Sequence, residues 1–196
     1  MAEADRERVL EIAESYRWQD WRGISDDFLS DEESENLCIK RGTLNKAERN
    51  IVNHHIVSTI NMLEALPWPK HLRNVPEFAG GHHERMDGKG YPRGLTRDEM
   101  SIQARIIGIA DIFEALTAKD RPYKAGNTLS EALQILGKFS LNGHIDPDLF
   151  QIFVREKIYI QYAKEFLDPG QLDEVDEGAI PGFHADGMTG IKGKLD

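Results

Sequence analysis

Two histidines, His82 and His83, stand side by side directly before Glu84. Neutral imidazole binds borderline transition metals and carboxylates bind harder ones. The pair therefore has metal chemistry within reach, although a polar helix end is the other reading of the same residues. Asp111 lies inside the apolar run IIGIADIFEAL, between Ala110 and Ile112. A carboxylate buried there needs a cation or several donors, supplied by a metal or by a lysine or arginine. His55 shares a 3.6-period face with Val52, Ile56, Thr59 and Leu63 and is expected to point inward, with His54 about 100° away. An inward histidine is a metal ligand or a hydrogen-bonded core residue.

The elements that must position these residues read as helices nearly throughout. Val9, Ile12, Ala13 and Tyr16 recur at helical spacing in a first segment, residues 1–22. Residues 23–36, GISDDFLSDEESEN, read as an acidic loop with at most one helical turn. Asn45 with Glu48 makes a capping box for a helix that runs to Leu66, where Pro67 and Pro69 stop it. Pro76 suits the first turn of a short helix that ends near His83. Three glycines and a proline follow in the nine residues from Asp87 to Leu95, which demands a loop of special backbone angles. Ser101 caps a helix through Thr117, with Ile102, Ile106, Ile109, Ala110 and Phe113 expected inside. Thr128 with Glu131 opens the next helix. Asp146 followed by Pro147 opens one that reaches Leu167 before Asp168-Pro169-Gly170 breaks it. No stretch alternates with period 2. The expected architecture is all-α: a helical domain over residues 23–167, preceded by the N-terminal helix and followed by an irregular, acidic extension, 168–196, anchored through Ile180 and Phe183.

Composition narrows the function. The chain has 196 residues, 34 acidic and 24 basic, for a formal net charge of −10. That balance argues against a basic face for duplex DNA or RNA. An anionic substrate would need a local source of positive charge. No apolar run approaches the roughly 18 residues of a membrane span. The single cysteine, Cys38, excludes an intramolecular disulfide and fits a cytoplasmic setting.

The segments HHERMDGKGYPRGL (82–95), ARIIGIADIFEALTAKDRPYK (104–124) and HIDPDLFQIF (144–153) together closely resemble HD-GYP domains, a bacterial subfamily of the HD phosphohydrolases. The resemblance extends over roughly residues 24–155. It implies an HD-domain-like helical bundle that holds two or three divalent transition metals, usually iron or manganese, and hydrolyses cyclic di-GMP. The ligands it implies are His55, His82, His83 and Asp111. The His-Asp pair that names the family falls 28 residues before His55, on Asp26 and Asp27. Asp27 would then act with Asp111 at the catalytic metals, and Asp26, standing where the family has histidine, could add a carboxylate ligand. The family's lysine three residues after the aspartate falls on Ser30. Gly90, Tyr91 and Pro92 form the loop implied to bind substrate, and Arg121 and Lys124 are the implied phosphate contacts. Asp26 and Ser30 leave two functions open. One is a cyclic-dinucleotide phosphodiesterase of reduced activity. The other is an inactive HD-GYP-like module that recognises a cyclic dinucleotide or a protein partner, such as a separate sensor.

Overall fold

A computed structural model describes residues 2–40, 42–119 and 126–185. Arg121 and Lys124 lie outside the described residues. Among those described, eight α-helices and one two-stranded hairpin are found, and no helix is long and apolar enough to cross a membrane. The chain divides into two units, residues 1–55 and 56–196.

The first unit opens with α1 (Glu3–Ser15), which buries none of its residues. The chain then forms β1 (Arg17–Gln19) and β2 (Ser25–Asp27), antiparallel, with Trp18 opposite Asp26 and Arg17 opposite Asp27. Their turn is held by the Asp20 carboxylate, which accepts from the N–H groups of Arg22 at 2.8 Å and Ile24 at 2.9 Å. Next comes α2 (Asp31–Leu37), opened by a reciprocal capping box between Ser30 and Glu33. These elements correct the expectation of a loop over 23–36. The strands are three residues each and fully exposed, so they have no buried face and no alternation to read. The Ser30–Glu33 pair was a legible helix start inside an otherwise acidic stretch.

Helix α3 (Lys46–Glu64) begins in the first unit and continues into the second. Its start follows expectation: the Asn45 N–H donates to Glu48 at 2.8 Å and the Glu48 N–H to Asn45 at 2.9 Å. Its phase does not. The buried residues are Ile56 and Ile60, whereas Val52 and His55 are exposed. Ile56 of the expected row is buried and Thr59 and Leu63 are half-buried, but the stripe is turned toward Ile60, which leaves Val52 and His55 outside.

In the second unit, α4 (Val75–Gly80), α5 (Ile102–Thr117), α6 (Leu129–Leu141), α7 (Pro147–Arg155) and α8 (Ile158–Phe166) follow. The core gathers Ile109 and Phe113 of α5, Leu133 and Leu136 of α6, Phe150 and Val154 of α7, and Tyr159 of α8. The caps expected at Ser101, Thr128 and Asp146 all form. Two expectations fail. Ile102, Ile106 and Ala110 of α5 are exposed, and Ala104, Ile109, Phe113 and Thr117 are its inner face. The helix expected from Pro147 to Leu167 is two helices, divided where Lys157 takes the left-handed φ of 54°. No glycine, proline or asparagine marks that break in the sequence. After α8, Ile180 joins the core and Phe183 packs against it.

Candidate metal centre

Helices α4 and α5 meet because small residues let them. A Cβ on Gly81 would lie 2.8 Å from the Ala104 Cβ, and one on Gly108 would lie 3.1 Å from the His82 carbonyl oxygen. Ala104, Gly108 and Asp111 are spaced four and three residues apart and so share one face of α5. That face lies along the end of α4, which brings Asp111 toward the histidine pair. A Cβ on Gly80 would come within 2.8 Å of Ile60, so α3 closes on α4 from the other side.

One ring nitrogen from each of His55, His82 and His83 lies within 4.8 Å of the other two. Nδ1 of His82 is 2.6 Å from the Ala79 carbonyl oxygen, and Nδ1 of His55 makes the same contact with Val52. A carbonyl only accepts, so in each ring Nδ1 carries the proton and the lone pair sits on Nε2. Backbone bonds of this kind orient metal-ligating imidazoles and set their tautomer.

Two nitrogens on one ion at about 2.1 Å each are at most about 4.2 Å apart. The three rings would close on an ion with small side-chain rotations, and the all-nitrogen donor set suits a transition metal. Asp111 stands outside this trio, and half-buried rather than enclosed. It is nevertheless close enough to act on Tyr91: burial first, and the Asp111 charge second, raise the Tyr91 phenol above its ordinary value.

The glycine-rich loop rests on the histidines. The Tyr91 ring stacks on His83 with centroids 4.8 Å apart and planes 17° apart, and the Tyr91 N–H donates to the His83 carbonyl at 3.2 Å. Glu84, 4 % exposed, accepts from the N–H groups of Arg93 at 2.7 Å and Leu95 at 2.9 Å. Gly90 packs so tightly on this segment that a Cβ would lie 2.4 Å from the Glu84 Cα. At the loop base, the Arg85 guanidinium grips Asp87 at 3.0 and 2.7 Å and is the main cause holding its carboxyl down at about 2. Glu84 was not singled out in the sequence. The available signal was a carboxylate abutting a loop whose glycines leave backbone N–H groups to be satisfied.

Asp26 and Asp27 lie on the exposed hairpin. Asp27 pairs with Arg17 at 2.5 Å, and Asp26 accepts from the Asp27 N–H at 2.9 Å. His144 stacks on Phe139, and Asp146 caps α7.

Residues 32–149 match the family model described as HD domain. The chain belongs to the HD domain family. Members of this family are metal-dependent. The chain is 42 % identical over 117 residues to a 3'3'-cGAMP-specific phosphodiesterase of Vibrio cholerae, covering 60 % of this chain and 24 % of that protein. It is 37 % identical over 137 residues to a cyclic di-GMP phosphodiesterase of Pseudomonas aeruginosa, covering 69 % and 32 %. With one from Thermotoga maritima the identity is 34 % over 122 residues, covering 62 % and 32 %. This HD domain, of HD-GYP type by its Gly90-Tyr91-Pro92 loop and these relatives, thus spans about a quarter to a third of the relatives it matches. The family match begins after Asp26 and Asp27.

Proposed function

We infer that this HD domain is a metal-dependent phosphohydrolase acting on cyclic dinucleotides. The observation that carries the reading is the convergence of His55, His82 and His83 beside the Tyr91 loop. These histidines would hold iron or manganese, with Asp111 as the nearby carboxylate. Asp27 and Asp26 would add carboxylates to the set. A bound ion supplies Lewis acidity and an activated water at neutral pH. The chain's own residues do the rest. The His82 Nδ1–H bond keeps its lone pair aimed for coordination. The Tyr91 ring offers an aromatic face and a phenol proton retained at physiological pH, so its hydroxyl can donate to a phosphate or base. Arg121 and Lys124 would contact the second phosphate. A cytoplasmic setting accords with such a substrate.

A second reading has its own support. Asp27 is engaged with Arg17, and Ser30 serves as the N-cap of α2. The positions that resemble the family's catalytic pair and lysine thus have local structural work, as in a domain that binds a cyclic dinucleotide, or answers a sensor protein, without cleaving it.

The test is turnover by the chain loaded anaerobically with manganese or iron, given cyclic di-GMP and 3'3'-cGAMP separately. Linear dinucleotide product that disappears in His83→Ala supports the enzyme. Metal-dependent binding without product supports the module. A chain that neither binds nor cleaves either compound overturns both readings.

A further inference from the structure

We propose that Glu84 is a positioning residue that holds Tyr91 over His83 and thereby links the histidine centre to the substrate side of the site. The proposal rests on the cyclic-dinucleotide reading for its ligand, but its geometry stands without it. A carboxylate 4 % exposed is costly unless its oxygens are occupied. Here each oxygen takes one backbone N–H: Oε1 takes that of Arg93 and Oε2 that of Leu95. Both donors lie on the outgoing arm of the loop, beyond Tyr91. The incoming side is held one residue earlier, where the His83 carbonyl accepts from the Tyr91 N–H at 3.2 Å.

The His83-Glu84 dipeptide therefore grips the loop on both sides of the tyrosine. Gly90 fits between, its α-carbon so close that a side chain would strike the backbone of Glu84 and Arg85 at 2.4 Å. The Tyr91 ring is stacked on His83 at a centroid distance of 4.8 Å. Glu84 itself is absent from the three-histidine group. Its carboxylate is spent on the loop, and it acts through Tyr91.

The substitution Glu84→Gln keeps the shape but leaves one accepting oxygen for two N–H groups, so one arm contact is lost. Glu84→Asp keeps the charge but is one methylene short of the two amides. It serves as the second variant should the glutamine form fail to fold. The first measurement is free of ligand: the proton shifts of the His83 imidazole, which sense the ring current of Tyr91. In Glu84→Gln they are expected to move toward the values found in Tyr91→Ala. Unchanged His83 shifts in a folded Glu84 variant overturn the proposal.

The second measurement is a double-mutant cycle on cyclic di-GMP affinity, with bound metal per chain monitored throughout. Glu84→Gln and Tyr91→Ala are each expected to weaken binding about tenfold, and the double variant no more than either alone. Additive losses, about a hundredfold together, would show that Glu84 acts independently of Tyr91 and would also overturn the proposal. If the parent binds no cyclic dinucleotide, the function reading fails, and the His83 shifts alone decide the role of Glu84.

Discussion

Replacing Asp146 tests how the loop and the helix bearing Asp111 are tied to the rest of the second unit. Asp146 is fully buried. It accepts from Arg97 Nε at 2.9 Å and from Arg105, and it caps α7 through the N–H groups of Asp148 at 2.9 Å and Leu149 at 3.2 Å. Arg97 follows the glycine-rich loop and donates its N–H to the Met86 carbonyl, while Arg105 lies on α5 six residues before Asp111. Asp146→Asn keeps a capping oxygen, since asparagine caps as well as aspartate, but it strips the charge facing two guanidiniums. Breaking a buried pair costs about 3–5 kcal/mol. Arg97 is 40 % exposed and rehydrates readily, whereas Arg105 is only 15 % exposed, so about 2 kcal/mol is the expected loss. Asp146→Ala also removes the cap, for about 1 kcal/mol more. Urea unfolding at pH 7 should rank the wild type above the asparagine form and that above the alanine form, with those spacings. The pH dependence has a fixed sign. Burial pushes the carboxyl up, but Arg97, the Leu149 N–H and Arg105 together outweigh it and leave it below its ordinary value. Its stabilisation is therefore full above about pH 4 and fades as pH falls through the lower folded value. The gap between wild type and Asp146→Asn should close over that acid range. An asparagine form as stable as wild type at pH 7, or a gap that widens in acid, would refute the reasoning.

Three further outcomes follow from the geometry. His82→Ala should weaken manganese binding at least about tenfold by equilibrium dialysis, while His54→Ala, about 100° around the helix from His55, should leave it unchanged; equal losses would count against the three-histidine centre. Gly137→Ala places a Cβ 2.3 Å from the Pro181 carbonyl, so the segment carrying Ile180 should detach, with a cost of about 1–3 kcal/mol and new cleavage after α8 under limited proteolysis. Tyr159→Phe removes a hydroxyl that donates to Glu177 at 2.6 Å and should cost about 1.5 kcal/mol by thermal unfolding; no measurable change would mean that Glu177 is equally well served by water.

The helices of the second unit were legible where the start signals were explicit. Ser101, Thr128 and Asp146 all cap as their side chains predict, because capping is local chemistry within three residues. Inner faces were less legible. On α5 the isoleucines outnumber the available core positions, and the sequence cannot tell which of two apolar stripes finds a partner. Ala104 and Gly108 won because α4 approaches closely there, and only a small residue permits that. The break at Lys157 had no signal at all, since a lysine in the left-handed region is chosen by tertiary packing and not by propensity. In the site, histidines and glycines announced themselves by type and spacing. Glu84 did so only indirectly, for its partners are backbone N–H groups nine and eleven residues away, and the adjoining glycine-rich loop is the one sign that such donors need an acceptor.

The exposure of His55 changes what the centre can do. A histidine on the Ile56–Ile60 stripe would be a core residue, enclosed on every side and closed to ligands. Rotated out of that stripe, it still offers a ring nitrogen within 4.8 Å of those of His82 and His83, while Nδ1 remains turned back to its own helix at Val52. The apolar side of α3 thus faces Gly80 through Ile60, and the imidazole stands at the open side. A cation held there would be backed by packed helices yet reachable by a bulky anion. For the proposed dinucleotide substrate, a chain of net charge −10 offers no long-range attraction, so positive charge would have to be concentrated at the site itself. Under the proposed function, metal occupancy would govern binding as well as chemistry. Raising the salt concentration should weaken dinucleotide binding far less than removing the metal does; the reverse order would place the attraction on surface lysines and arginines instead.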